Sequence, residues 1–278
     1  MAKQKKSGKR MLLMIAASYL VVVMILFFNQ RNMMYFPYQG FPDPAAIGVP
    51  EMKAIEVTTK DNLTLRALYK APDNPSLPVV VLFHGNGGSI AIRGYRAREF
   101  MDNSPGVGYL LAEYRGYASN SGKPTEEGLY NDARAYMDWL ILDQKIPQSR
   151  IVLYGESLGT GIATQMALEY ADAKALILEA PYTSMQAVAQ KHLFWLPAYW
   201  LVKDRYNNID KVTQVKMPLL VLHGQKDSVI PYDHGVKVFQ NAKTSKRLES
   251  FCGGNHVDLV SRGAGHKARQ FLASYPSD

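Results

Sequence analysis

Cysteine is almost absent from this chain of 278 residues, in which Cys252 stands alone. A single cysteine excludes an internal disulfide framework and a thiolate metal cluster. Three motifs are also missing: the H-E-x-x-H of zinc peptidases, the G-x-x-x-x-G-K-[ST] phosphate loop, and a G-x-G-x-x-G that opens a helix. Because metal, nucleotide and dinucleotide sites all lack their signatures, we expect the protein to need no metal and no cofactor.

Acidic residues are missing from residues 1–10, which hold five basic side chains. The formal charge of the chain is +8, and such a balance by itself suggests nucleic acid or an anionic membrane as the partner. Taking these five residues from the total of 32 basic residues leaves 27 against 24 acidic ones, so no nucleic-acid partner is expected. The five are Lys3, Lys5, Lys6, Lys9 and Arg10.

Charged residues are also missing from residues 11–28, where Ser18 and Tyr19 are the only polar groups. About 18–20 apolar residues cross a bilayer as a helix, whereas a cleaved signal peptide has a core of ~7–15 residues before a small-x-small site. No such site follows, so the segment predicts an uncleaved transmembrane anchor. The preceding basic arm places the N-terminus in the cytoplasm and the remaining chain on the periplasmic side of a bacterial inner membrane, or in a eukaryotic lumen.

Residues 29–50 form a predicted linker between the anchor and the rest of the chain. Its aromatic side chains suit a belt at the membrane interface, and they equally suit a linker that packs on the following domain. The sequence leaves both interpretations open. These side chains are Tyr35, Phe36, Tyr38 and Phe41.

Residues 51–278 alternate short apolar runs with longer amphipathic stretches. This alternation predicts one α/β domain with a doubly wound, mostly parallel sheet, whose ligands bind at the carboxyl ends of the strands. Residues 184–212 interrupt the pattern and hold two of the three tryptophans, which predicts a helical cap insertion over the site. Helices are predicted near 90–102, 126–142, 158–171, 232–242 and 258–274.

The pentapeptide at residues 155–159 has the form G-x-S-x-G, between a predicted strand at 151–154 and a predicted helix. A strand-to-helix turn this tight needs glycines beside the serine, and it holds the hydroxyl exposed at the edge of the sheet. We therefore identify Ser157 as a candidate nucleophile. The alternative is a serine that merely caps the helix.

A nucleophilic serine needs a base, and the base needs an orienting carboxylate. His256 follows the strand-like run 246–251 and is the candidate base, while Asp227 follows the run 219–222 and is the candidate acid. Glu179 is the rival acid, because it also follows a strand. The chain order serine, acid, histidine is the one found in hydrolases whose serine lies in a strand–turn–helix motif.

The remaining parts of an acyl-transfer site are also predicted. The backbone N–H groups of Leu158 and Asn86 are the expected oxyanion donors, since one follows the nucleophile and the other lies in the glycine-rich loop after residues 79–83. Arg115 has two interpretations, a residue at the mouth of the site or a buried structural ion pair. The aromatic part of the cap is either the wall of an acyl pocket or simple cap packing, and its residues are Leu193, Phe194, Trp195 and Trp200.

These stretches resemble the α/β-hydrolase superfamily, and more narrowly its membrane-anchored serine hydrolases. The resemblance implies Ser157, Asp227 and His256 as a triad, and hydrolysis of a small acyl ester, a thioester or a lipid-like substrate. The alternatives are a serine peptidase and a non-catalytic membrane binding module on the same fold. The matching segments are VVVLFHGNGG (79–88), EYRGYASNSGKPTEEGLYNDA (113–133), IVLYGESLGTGIA (151–163), LILEAPYTS (176–184), PLLVLHGQKDSVIP (218–231) and GGNHVDL (253–259).

Overall fold

The computed structural model describes residues 2–275, with side chains from residue 7 onward, so Lys3, Lys5 and Lys6 of the basic arm lie outside the described side chains. The strands are β1 (Phe36–Pro37), β2 (Lys53–Thr58), β3 (Thr64–Lys70), β4 (Val79–Phe83), β5 (Gly87–Gly88), β6 (Gly108–Ala112), β7 (Ile151–Glu156), β8 (Ala175–Glu179), β9 (Leu219–Gly224) and β10 (Lys246–Phe251). The α-helices are α1 (Ala2–Met34), α2 (Gly94–Asn103), α3 (Glu126–Asp138), α4 (Gly159–Glu169), α5 (Met185–His192), α6 (Ala198–Leu201), α7 (Asn208–Lys211), α8 (Tyr232–Asn241) and α9 (Ala264–Ala273).

Eight strands form the central sheet, in the order β10-β9-β8-β7-β4-β6-β3-β2. The pairings from β10 through to β6 are parallel, and only β2 with β3 and β3 with β6 are antiparallel. All five residues of β4 are buried, because helices cover both faces of the sheet. Val81 packs in the core with α3 and α4, while Val80 packs in the core with α2 and α9. The predicted doubly wound sheet is therefore confirmed.

The predicted helical cap insertion contains α5, α6 and α7, and we call residues 184–212 the cap. The last helix differs from its prediction, since α9 begins at Ala264 and not near residue 258. The chain turns before it, and Gly263 has a left-handed φ of 91°, a conformation that interrupts a helix.

The apolar helix α1 extends beyond the predicted span at both ends, so residues 29–34 are helical and not linker. The chain has no proline before Pro37, which allows the helix to continue to Met34. Within α1, residues Ser7–Met34 are long and apolar enough to cross a membrane.

Some of the aromatic residues after α1 pack on the domain, and others are exposed as in an interfacial belt. Tyr35 is buried and shares hydrogen bonds with the side chains of Asp204 and Tyr206 in the cap, at 3.1 and 2.9 Å. Phe36 and Tyr38 are exposed, as an interfacial belt requires. Phe41 packs on the domain, where the guanidinium carbon of Arg66 lies 3.9 Å from its ring centre.

Candidate active site

Ser157 lies in the sharp turn between β7 and α4. Its φ of 51° is in the left-handed region, where a residue with a side chain is strained. The backbone N–H of Ser157 donates to the carbonyl of Glu179 at 2.9 Å, which fixes the turn on the neighbouring strand. The strain therefore holds the hydroxyl at the carboxyl edge of the sheet.

Close backbone packing explains the two glycines that flank Ser157. A Cβ on Gly155 would lie 2.5 Å from the carbonyl oxygen of Gly159. A Cβ on Gly159 would lie 1.9 Å from the carbonyl oxygen of Phe83, at the end of β4. Neither position has room for a side chain, so the turn can be this tight only with glycine at both.

The structure brings Ser157, His256 and Asp227 together, although 99 residues separate the serine from the histidine. Ser157 Oγ lies 3.0 Å from His256 Nε2, and His256 Nδ1 lies 2.7 Å from Asp227 Oδ2. The other carboxylate oxygen, Oδ1, accepts the backbone N–H groups of Val229 and Ile230 at 2.9 and 2.8 Å. This chain of hydrogen bonds can carry a proton from the hydroxyl to the imidazole.

Asp227 remains ionised despite its burial. Burial raises the pKa of this carboxyl, but hydrogen bonds from His223 and His256 outweigh that effect and hold the pKa below its usual range. A charged carboxylate at this position stabilises the imidazolium that forms when the histidine accepts a proton.

Glu179, the rival acid, is part of a separate buried network. Its carboxylate accepts from Arg96 Nη1 at 2.9 and 3.0 Å and from the hydroxyl of Tyr154 at 2.6 Å. Arg96 also pairs with Glu156, the residue before Ser157, at 3.3 Å. No hydrogen bond joins Glu179 to His256 within residues 7–275.

A second arginine, Arg93, joins this network at Glu156. Arg93 Nε lies 3.2 Å from Glu156 Oε2. Burial raises the pKa of Glu156, but the attraction of Arg96 and Arg93 outweighs it and lowers the pKa to about 2. Sequence reasoning missed this network, because Arg93 at the N-cap of α2 and Arg96 in its first turn meet Glu156 and Glu179 only once the sheet has formed.

The glycine-rich loop after β4 is held by a buried carboxylate. Glu113 Oε1 contacts His84 Nε2 at 2.8 Å, and its Oε2 accepts the backbone N–H of Ile90 at 2.9 Å. Within the described chain, the backbone N–H groups of Leu158 and Asn86 donate to no protein acceptor. Both N–H groups therefore remain available as hydrogen-bond donors.

Arg115 forms a structural ion cluster. Its guanidinium binds both carboxylate oxygens of Asp61 at 2.6 and 2.9 Å, and it lies 2.7 Å from the buried carboxylate of Asp132. Of its two interpretations, the geometry favours the structural one. Among residues 7–275, no cluster of three or more histidine, cysteine or acidic side chains is placed to hold a metal ion.

The four proposed acyl-pocket residues do not lie together in the structure. A cavity of about 380 Å³ lies between α1 and the cap, and Leu193 lines it. Phe194, Trp195 and Trp200 are exposed and do not line the cavity. Helix α5 ends at His192, so Phe194 and Trp195 lie in the turn after it, whereas Trp200 lies on the exposed side of α6.

Comparisons with known proteins agree with this geometry. The family model described as "alpha/beta hydrolase fold" matches residues 78–209. An uncharacterized protein of Mycobacterium tuberculosis is 35% identical over 231 residues, which cover 82% of this chain and 81% of that protein. Lysophosphatidylserine lipase ABHD12 of Danio rerio is 31% identical over 224 residues, and the match spans 72% of this chain but only 56% of that protein.

A solved structure, esterase Pf2001 of Pyrococcus furiosus, superposes with a TM-score of 0.69. The superposition covers 87% of this chain and 99% of that esterase at 19% identity, so the similarity supports the fold alone. Together with the family model and the mycobacterial relative, the sheet order and the G-x-S-x-G turn show that the chain belongs to the α/β-hydrolase superfamily.

Proposed function

We propose that the protein is a serine hydrolase that cleaves acyl esters or thioesters through an acyl-enzyme intermediate. The observation that carries this proposal is the continuous set of hydrogen bonds from Ser157 through His256 to Asp227. An unstrained capping serine needs neither a histidine at 3.0 Å nor a left-handed backbone. A binding module on this fold has no need of the assembled triad.

The mechanism has two steps. His256 Nε2 takes the proton of Ser157 as its Oγ attacks the acyl carbonyl, and the N–H groups of Leu158 and Asn86 stabilise the oxyanion. His256 then protonates the departing alcohol or thiol, which leaves an acyl group on the serine. Water, deprotonated by the same histidine, attacks the acyl-serine and releases the acid.

An ester, and more narrowly a lipid ester, is the substrate class that we propose. The similarity to lysophosphatidylserine lipase ABHD12 of Danio rerio, at 31% identity, supports an ester bond. The mostly apolar cavity beside the cap supports a substrate with an apolar acyl group. Among the described residues of the site, no feature favours a peptide.

A labelling experiment with a substrate panel tests the activity. The detergent-solubilised full chain is expected to react with a fluorophosphonate probe and to hydrolyse p-nitrophenyl esters and acyl thioesters, but not chromogenic peptide anilides. Heat-denatured protein is the control for non-specific labelling. Absence of both labelling and ester hydrolysis would contradict the proposal, and hydrolysis of the anilides alone would replace it by a peptidase.

We further propose that α1 anchors the protein in a membrane without cleavage, with the domain on the extracytoplasmic side. Support comes from residues Ser7–Met34, which are long and apolar enough to span a bilayer, and from the five basic residues before residue 11. The partition into an arm at 1–10, an anchor at 11–28, a linker at 29–50 and a hydrolase domain at 51–278 remains a proposal, with residues 29–34 now assigned to the helix.

Reporter fusions test the orientation. A phosphatase that is active only outside the cytoplasm, fused after Asp278 and expressed in a bacterium, is expected to be active. A reporter that works only in the cytoplasm, fused at the same residue, is the matched control and is expected to be inactive. The reverse pair of results would overturn the orientation, and release of the domain from the membrane fraction would show cleavage.

A further inference from the structure

The cavity of about 380 Å³ is built by two elements that are far apart in sequence. One wall is the face of α1 that carries Val23, Leu26, Phe27, Gln30 and Met34, spaced as one stripe of a helix. The opposite wall is α5, where Met185, Val188 and Ala189 face the same space. The apolar N-terminal helix is therefore part of the cavity wall as well as a candidate membrane span.

The lining of the cavity includes residues from two loops of the proposed catalytic site. Asn86, whose N–H is the proposed oxyanion donor, lines it, and its side chain donates to the carbonyl of Met34 at 2.9 Å. Val229, whose N–H donates to Asp227 at 2.9 Å, also lines it. The cavity therefore adjoins both the loop of the proposed oxyanion donor and the loop of Asp227.

Polar contacts fix α1 on the cap at its C-terminal end. The guanidinium of Arg31 binds both carboxylate oxygens of Asp204 at 2.9 and 3.1 Å. The side-chain oxygen of Gln30 accepts the backbone N–H of Lys203 at 2.7 Å. These bonds fix the position of α1 against the cap. The cavity between α1 and α5 is therefore maintained by specific contacts.

The cap also reaches along the apolar part of α1. The hydroxyl of Tyr19 donates to the carbonyl of Trp195 at 3.2 Å. Tyr19 precedes the end of the apolar run at residue 28 by nine residues, which is roughly 13 Å along a helix. If α1 spans a membrane, this contact places the turn that carries Trp195 and the exposed Phe194 beside the apolar part of α1.

We propose that α1 is one wall of the acyl-binding site, which receives a single acyl chain of a membrane lipid from the leaflet. This inference rests on the proposed ester hydrolysis. At about 30 Å³ for each water-sized group, the cavity holds roughly a dozen methylene-sized groups. That capacity suits one medium to long chain, and the site is incomplete without α1.

Bulky substitutions that fill the cavity test this role of α1. Leu26→Trp fills it from the helix side and Ala189→Trp from the cap side, while Ile25→Trp places the same ring on the exposed face of α1. The full chain is assayed in detergent with p-nitrophenyl butyrate and p-nitrophenyl laurate. Both filling variants are expected to lose at least about tenfold in kcat/KM for laurate and little for butyrate, and Ile25→Trp to match wild type.

A catalytically inactive variant tests whether the bound acyl chain comes from a membrane lipid. Full-length Ser157→Ala protein in phosphatidylcholine vesicles is irradiated with a monoacyl lipid that carries a diazirine in its chain. Cross-links are expected on both α1 and α5, and to be lost in the double variant with Leu26→Trp but not with Ile25→Trp. Unchanged laurate kinetics in both filling variants, or cross-links independent of residue 26, would overturn the inference. Failure of wild type to hydrolyse butyrate, with these cross-links intact, would instead reject the proposed hydrolase activity.

Discussion

Replacing Ser157 with alanine is expected to lower kcat for ester hydrolysis by about 10⁶-fold and to abolish fluorophosphonate labelling. The hydroxyl at 3.0 Å from His256 is the only group of the proposed triad that can form the acyl-enzyme. Oxyanion binding alone would leave a residual rate about 10³–10⁴-fold above that of water. Because alanine at φ 51° is as strained as serine, the variant is expected to keep the stability of wild type.

Hydrolysis of p-nitrophenyl butyrate and gel-based labelling measure this loss. The matched control is Ser261→Ala, which removes an exposed hydroxyl from the loop after His256 and is expected to retain full activity. Thermal unfolding of both variants in the same detergent checks the fold. Equal labelling of wild type and Ser157→Ala would show that another residue is the nucleophile.

The parts of this structure that depend on short segments could be predicted from the sequence. The strand before Ser157, the glycines on both sides of it and the helix after it are contiguous, so local sterics alone define the turn. Asp227 and His256 lie far from Ser157 in the chain, but each follows a strand, and parallel strands end at one edge of the sheet. This rule alone predicts that the three residues lie close together at that edge.

The cavity could not be predicted in the same way. An all-apolar run has no polar face, so the stripe of Val23 and Leu26 that faces the cap cannot be distinguished from the exposed residues of α1 by periodicity. The exposure of Trp200 in the cap could not be predicted either, because tryptophan is highly buried on average in folded proteins. Gln30 is the one polar residue of the stripe, and it marks where α1 meets the cap.

The network around Arg96 depends on contacts that no linear pattern contains. Arg96 from α2, Glu156 from β7 and Glu179 from β8 meet only after the sheet has formed. This placement separates the two candidate acids physically. The carboxylate of Glu179 is hydrogen-bonded to the buried Arg96, whereas Asp227 Oδ2 lies 2.7 Å from His256 Nδ1.

Asp227→Asn is therefore expected to lower kcat by about 10⁴-fold with little change in KM. Asparagine can still accept the N–H groups of Val229 and Ile230 through its Oδ1. Its amide then points N–H groups at His256 Nδ1, which forces the ring proton onto Nε2. A protonated Nε2 cannot accept the proton of Ser157, and the charge that stabilises the imidazolium is gone.

Glu179→Gln is the matched control, since it makes the same loss of charge at the rival acid. It leaves Arg96 less well paired in a buried position, so it is expected to lower the free energy of unfolding by about 1–3 kcal/mol while the folded fraction keeps its kcat within about tenfold. Butyrate hydrolysis at saturating substrate and thermal unfolding in one detergent separate the two effects. A full loss of kcat in Glu179→Gln, with Asp227→Asn active, would assign the acid to β8 and reject the triad proposed here.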